Sequence, residues 1–292
     1  MKRAITLILL LISTLSSDVH SDEIRLFTYN ILSDSFLDMK DYEKEMDSEF
    51  LEWNNRKWLL LHRIQKMKAD ILCLQEVNHD SFIFFEKMLA KDNLVGVYAE
   101  DDSKFQHGVA TFYHENKIQC ETTNTVLCQG SSMCGKKAVR AALITKLQLP
   151  DRQFIHVVNT KIKWLPDTIP LEDHPGFRQL HFLNDHSIQN DLENPWVLSG
   201  DFNFTPDHPL FRMVISWNFA DPHQEENPLT FYDKNNSKRI DYILCSDFLK
   251  VKPIPMARMS HIWPIPSTIE PSDHLPLGVS IQIHESGLKE DN

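Results

Sequence analysis

Residues 69–77 read Ala69-Asp70-Ile71-Leu72-Cys73-Leu74-Gln75-Glu76-Val77. Four consecutive apolar residues between polar ends describe a strand buried on both faces, of the kind covered by helices or by a second sheet. Before it, Trp53 to Lys68 carries Leu60, Leu61, Ile64 and Met67 near helical spacing, so a helix leads into this strand. Glu76 ends the run, where a rigid strand holds its carboxylate in place.

The same grammar recurs outward from this segment. Ile24 to Ile31 reads as a strand ending at Asn30, and Asp80 to Leu89 as a Phe-rich helix. Val109 to Tyr113, Ala141 to Leu149 and Phe154 to Thr160 read as strands, and Phe177 to Ile188 as a helix. Trp196 to Ser199 is a short strand running into Gly200-Asp201, and Leu210 to Ile215 a helical turn. Arg239 to Cys245 and Leu275 to Ile283 are late strands. Asp34 to Glu52 is acidic and reads as a solvated loop rather than a lid, and the tail from Glu285 is polar. Several strands follow one another directly, which favours two packed sheets flanked by helices over a doubly wound sheet.

Composition sets bounds on this scheme. Of the 292 residues, 42% are hydrophobic, enough for one large domain spanning 22–292. Residues 1–21 open with Met1-Lys2-Arg3, continue as the apolar stretch Ala4 to Leu15 and end in small residues, the pattern of a cleaved signal peptide. That apolar stretch is shorter than the roughly 20 residues a spanning helix needs, so the expectation is an exported chain, without a stable membrane anchor after cleavage. Its compartment would be the periplasm, the secretory pathway or the outside, and its state a monomer. The net charge of −11 argues against an enzyme that scans duplex DNA, which needs a basic footprint. A small phosphate ester, or a strand bound at a local cationic rim, remains compatible.

Of the five cysteines, Cys73 and Cys245 sit in apolar runs and read as core residues. Cys120, Cys128 and Cys134 lie close together, and an oxidising compartment would let two of them pair. His174, His181, His186 and His208 show no metal-ligand spacing and read as surface or packing residues.

Four polar signatures end or precede these strands in order: Gln75-Glu76, Gly200-Asp201-Phe202-Asn203, Arg239-Ile240-Asp241-Tyr242 and Ser272-Asp273-His274. Together they bring hard oxygen donors and one imidazole to a sheet edge, the inventory of a Mg²⁺-dependent phosphate-ester hydrolase. Asp201 is placed to orient and deprotonate water, and Asn203 to donate to charged phosphoryl oxygens. Asp241 is placed to fix the His274 tautomer. Glu76 and Asp273 are carboxylates for the cation, with Asn30 a neutral oxygen donor beside them.

As a set, these residues resemble the endonuclease/exonuclease/phosphatase superfamily, over Ile24 to about Ile283. Leu51-Glu52-Trp53-Asn54-Asn55-Arg56, the segment 69–77, Val158-Asn159-Thr160 with Lys163-Trp164, and Gly200 to Leu210 are similar to its deadenylase, nocturnin, angel and 2′-phosphodiesterase branch. The resemblance implies an α+β fold, a four-layer αββα sandwich of two mixed β-sheets flanked by helices. It makes Asn30, Glu76 and Asp273 metal-site residues, Asp201, Asn203, Asp241 and His274 catalytic, and Asn159 and Lys161 substrate-binding. The inositol 5-phosphatase signature Trp-Cys-Asp-Arg is absent.

One departure stands out. The branch carries Asn-Thr-His where this chain has Asn159-Thr160-Lys161, so a point charge replaces a proton shuttle. The expected function is a Mg²⁺-dependent (or Mn²⁺-dependent) phosphodiesterase resembling a 3′ exoribonuclease, acting on RNA or nucleotides. Two alternatives stay open: a phosphatase or sphingomyelinase-like enzyme, with Trp263-Pro264-Ile265-Pro266 a candidate lipid-facing hairpin, and a non-catalytic binding protein of the same fold.

Overall fold

The computed structural model describes residues 23–37, 48–101, 107–130, 138–166, 168–233, 236–247, 249–256 and 265–282. The expected signal segment, Cys134, Trp263-Pro264, the middle of the acidic loop and the tail from Glu285 lie outside them. In chain order the elements are β1 (Glu23–Asn30), α1 (Trp53–Met67), β2 (Ile71–Asn78), α2 (His79–Leu89), β3 (Leu94–Glu100), β4 (His107–His114), β5 (Gln119–Gly130), β6 (Ala138–Gln148) and β7 (Phe154–Lys161). There follow α3 (Pro175–His186), β8 (Trp196–Asp201), α4 (Pro209–Ile215), β9 (Phe219–Ala220), β10 (Phe231–Asp233), β11 (Asn236–Lys238), β12 (Asp241–Ser246), β13 (Val251–Ile254) and β14 (Leu277–Gln282).

The strands form two six-stranded sheets, ordered β13-β14-β1-β2-β4-β3 and β5-β6-β7-β8-β12-β9, and a small β10-β11 hairpin. Each sheet is antiparallel except for one central parallel pair, β1 with β2 and β7 with β8. A parallel pair needs a crossover, and α1 and α3 supply the two helices.

Three apolar layers hold the sandwich together. Between the sheets, Leu26, Ile71, Cys73, Val279 and Ile281 meet Leu147, Ile155, Val157, Val197 and Ile243. Outside the first sheet, Tyr29, Leu72 and Leu74 pack on Leu60, Ile64 and Met67 of α1 and on Phe85 and Leu89 of α2. Outside the second, Ile144, Val158, Leu198 and Leu244 pack on Leu180 and Leu183 of α3 and on Leu210 and Val214 of α4. The architecture is therefore the four-layer αββα sandwich the motifs imply. Strand β2 passes directly into α2 because Asn78 and Ser81 cap each other: the Ser81 N–H donates to Asn78 Oδ1 at 2.8 Å and the Asn78 N–H to Ser81 Oγ at 2.9 Å. Such a cap stabilises a helix by about 1 kcal/mol.

The eight inner strands are those that the apolar runs predict, and the four outer ones, β3, β5, β9 and β13, are not. An edge strand lacks a neighbour on one side and tolerates polar residues. Strand β5, with its run Glu121-Thr122-Thr123-Asn124-Thr125, is exposed along most of its described length. Cys120 and Cys128 are free thiols on that strand. Ile265, from the candidate lipid-facing hairpin, is buried.

Candidate active site

The C-terminal ends of both parallel pairs point the same way. Asn30 ends β1, Glu76 lies near the end of β2, Lys161 ends β7 and Asp201 ends β8. Antiparallel β12 begins there with Asp241, and the segment before β14 brings Asp273 and His274. Ligands of open sheets gather at such carboxyl ends, because helix crossovers begin there and leave a crevice.

Glu76 is not at a plain strand end. The β2–β4 register shifts between Gln75 and Val77, and Glu76 has φ of +59°. This bulge turns its carboxylate into the crevice, at a backbone cost of about 1–3 kcal/mol for a non-glycine residue. Its partners hold it there. Asn30 Nδ2 donates to Oε1 at 2.9 Å, the Ser33 N–H donates to Oε2 at 2.7 Å, and Lys161 Nζ forms an ion pair with Oε1. Burial alone would raise the Glu76 pKa, but the Lys161 charge and these hydrogen bonds outweigh it and lower it to about 2.

Asn30 is fixed the other way round from the expectation of an oxygen donor. Its Oδ1 accepts the Leu32 N–H at 3.0 Å, so its amino group faces Glu76 and Asp201, the latter at 3.0 Å. The backbone donor decides this orientation. Asn30 therefore orders two carboxylates through its amino group.

Asp241 Oδ2 and His274 Nδ1 are 2.8 Å apart. Burial opposes the charged imidazole, but the charges of Asp241, Asp201 and Asp273 and the Asp241 hydrogen bond raise His274 to about 10. Asp201 is raised above the usual carboxylate range by burial, against the pull of Lys161 and His274 and with a push from Asp241 and Glu76. Asp273 is raised to about 6, chiefly by burial. Asn203 has φ of +55° and closes a turn in which its N–H donates to Asp201 Oδ1 at 3.0 Å. Its amino group is spent on the Ile162 carbonyl at 2.8 Å and on Asp201 Oδ2 at 3.2 Å. It braces Asp201 here, and meeting a phosphate requires giving up one of these bonds.

Asn159 is a clear correction. It is fully buried between the sheets, donating to the carbonyls of Leu74 (3.1 Å) and Ala110 (2.9 Å) and accepting from Gln75 Nε2 at 2.8 Å. It ties the first sheet to the second behind the site and has no face toward a substrate. His174 and His208 are the packing residues expected, each accepting a backbone N–H at the start of α3 or α4.

Arg56 has a role that its motif alone does not reveal. It is fully buried and donates to the carbonyls of Ile31 (2.7 Å) and Leu32 (2.6 Å), with Asp34 as its ion-pair partner. It thereby shapes the loop whose Ser33 N–H reaches Glu76. The signal was available: Arg56 falls on the apolar stripe of α1 with Leu60, Ile64 and Met67. Arg56→Met strips charged hydrogen bonds from the carbonyls of Ile31, Leu32 and Pro271 and is expected to cost about 3 kcal/mol. Thermal unfolding of the variant should show a Tm lower by roughly 6–12 °C.

The donor set fits a hard divalent cation. Glu76, Asp201, Asp241 and Asp273 are all buried, and Lys161 and His274 are their cationic neighbours, which leaves negative charge in excess. Asp241 Oδ1 is buried without a hydrogen-bond partner among the described residues. One ligand atom each from Asp201, Asp241 and His274 lies within 4.8 Å of the others. Carboxylate oxygens are what Mg²⁺ takes, usually one or two with waters and substrate.

A crevice of carboxylates around an Asp–His pair, at the open end of a two-sheet sandwich, defines a phosphoric ester hydrolase architecture. The model of the Endonuclease/Exonuclease/phosphatase family matches residues 27–274, and the chain belongs to that family. The chain is similar to nocturnin of Drosophila melanogaster, 27% identical over 68% of this chain and 32% of that protein. It is also similar to the CCR4-Not complex 3′-5′-exoribonuclease subunit Ccr4 of Debaryomyces hansenii, 27% identical over 91% of this chain and 40% of that protein. It thus spans less than half the length of these two relatives. Among solved structures, ANGEL2, a 2′,3′-cyclic phosphatase in complex with adenosine-2′,3′-vanadate, superposes with a TM-score of 0.72 at 20% identity, over 89% of this chain and 95% of that one. That likeness is one of fold.

Proposed function

We propose that this chain is a divalent-cation-dependent phosphodiesterase that hydrolyses the 3′ end of RNA or a related nucleotide ester, in an exported setting. The observation that carries the reading is the contact set of Asp201 and the His274–Asp241 pair, facing one crevice from two strand ends. Asp201, raised by burial, accepts a proton from water as the water oxygen attacks phosphorus; the bond from phosphorus to the departing ribose oxygen breaks, and that oxygen takes up a proton from solvent. His274, kept charged by Asp241, donates from Nε2 to a phosphoryl oxygen as charge builds there. Glu76 and Asp273 would hold the cation. When bound, it stabilises the charge developing on the phosphoryl and leaving oxygens.

The nucleotide side of the reading is supported by the relatives. One is named a 3′-5′-exoribonuclease subunit, and the similar fold of ANGEL2 holds an adenosine-2′,3′-vanadate. The test is hydrolysis with Mg²⁺ or Mn²⁺ of a panel: single-stranded RNA with an adenosine tail, a 2′,3′-cyclic nucleotide end, a 2′-phosphorylated dinucleotide, duplex DNA and sphingomyelin. Cleavage of an RNA or nucleotide member bears the reading out. Cleavage of sphingomyelin alone overturns it.

The pH dependence has a defined sign. His274 has a folded pKa above its ordinary 6.5, so it stabilises the fold below that pH and loses this contribution as pH rises toward about 10. Asp241→Asn removes the largest of the charges that raise it and leaves Asp201 and Asp273 alone against burial, which lowers it. The alkaline limb of kcat/KM, expected near pH 10, should move down by roughly two units in D241N. A pH–rate profile of both proteins checks this.

A further inference from the structure

Lys161 is where the chain departs from the branch it resembles, and the structure shows where its charge goes. Lys161 is the last residue of β7, opposite Asp201 in the parallel register with β8. Its ammonium turns onto the carboxylates of the crevice. It forms an ion pair with Glu76 Oε1 and lies 3.6 Å from Asp201 Oδ2. The Phe36 ring, 5.0 Å from Nζ, covers it from the loop after β1, and its side chain is 15% exposed. Two carboxylates and a ring face therefore cage one monovalent cation.

This cage takes three of the roughly four lone-pair sites that the Glu76 carboxylate could offer a metal. Glu76 Oε1 already accepts from Asn30 and Lys161, and Oε2 accepts from Ser33. Asn30 turns its amino group, not its oxygen, toward the same carboxylates. A divalent ion on Glu76 would share the carboxylate with the ammonium and be repelled by it.

We propose that Lys161 is a built-in competitor of the divalent cation: its ammonium occupies Glu76, and a metal ion gains that carboxylate only by displacing it. This rests on the reading of Glu76 as a metal-holding residue and adds a specificity determinant to it. Metal affinity in this chain is set by the strength of an internal ion pair as well as by the ligands. Freed from Glu76, the Lys161 ammonium is a strong donor for an anionic group in the crevice.

Two measurements test this without turnover. In the first, isothermal titration compares MgCl₂ binding to the wild-type chain and to Lys161→Met, which keeps most of the side chain's length and removes its charge. K161M is expected to bind Mg²⁺ roughly tenfold or more tightly, and to gain more in Tm from added Mg²⁺. Glu76→Gln should abolish the difference. The second uses the wild-type chain alone, so that it survives any failure of K161M to fold. Lys161 is labelled with an amine-reactive acetylating reagent and quantified by mass spectrometry across a Mg²⁺ series. The rate is expected to rise with Mg²⁺ as Nζ leaves Glu76. Equal or weaker Mg²⁺ binding by K161M, no Mg²⁺ binding by either chain, or labelling that stays flat or falls with Mg²⁺ overturns the proposal. Absence of hydrolysis with these results intact would instead count against the phosphodiesterase reading.

Discussion

Asp201→Asn is expected to lower kcat by roughly 10³-fold, within the range that general-base catalysis supplies. The change is nearly isosteric, so the fold should hold. Asp201 is almost fully buried, and its Oδ2 accepts from Asn30 at 3.0 Å and Asn203 at 3.2 Å, with Oδ1 taking the Asn203 N–H. An amide oxygen can accept two of these contacts, but its amino group meets a donor on the other side. More importantly, an amide cannot take a proton from water at neutral pH. Asp201 is already raised above the usual carboxylate range, which brings it closer to the basicity of a useful base. In the proposed mechanism Asp201 acts on the water rather than on the substrate, so KM should change far less than kcat. Steady-state kinetics on the best panel substrate checks the split, and a D201N enzyme within tenfold of wild type would remove Asp201 from the chemistry.

The second large effect is on the scaffold. Gly200→Ala is expected to cost more than about 4 kcal/mol, in the range reserved for gross steric conflict. Gly200 has φ of +144°, and a Cβ there would lie 1.8 Å from the Thr160 carbonyl oxygen. The atom it meets is backbone of β7, so no rotamer relieves the clash. The only escape is to open β7 from β8, the parallel pair that carries Lys161 and Asp201 side by side. Circular dichroism should show a Tm lowered by at least about 8 °C, or no soluble folded protein. A Tm within about 2 °C of wild type would mean the β7–β8 pairing differs from that described.

The core of this fold was legible because burial on both faces leaves continuous apolar runs. Ile71 to Leu74, Val197 and Leu198, and Ile243 and Leu244 are buried as their neighbours in sequence suggest. Edge strands were not legible, since β5 and β3 are half-solvated and carry no such run. In the site, residue types and the Asp241–His274 contact were readable and the other contacts were not. Asp241 beside His274 lies where the two motifs lead. The +59° bulge that aims Glu76 has no glycine to announce it. Asn159 looks like a polar strand-end residue of the kind that meets ligands, yet it is consumed by the carbonyls of Leu74 and Ala110. Asn30 is an oxygen donor by type and a nitrogen donor by its Leu32 contact. These outcomes depend on backbone geometry across strands distant in sequence, which local patterns do not encode.

In the proposed mechanism Asp201 and the His274–Asp241 pair drive water onto phosphorus in this crevice. The most direct measurement is hydrolysis of single-stranded RNA with Mg²⁺ in H₂¹⁸O, with the products weighed by mass spectrometry for wild type and D201N. One ¹⁸O is expected in the phosphate group of the released nucleotide for wild type, with the rate lost in D201N. Hydrolysis that proceeds undiminished in D201N, or no incorporation of ¹⁸O, would contradict this mechanism.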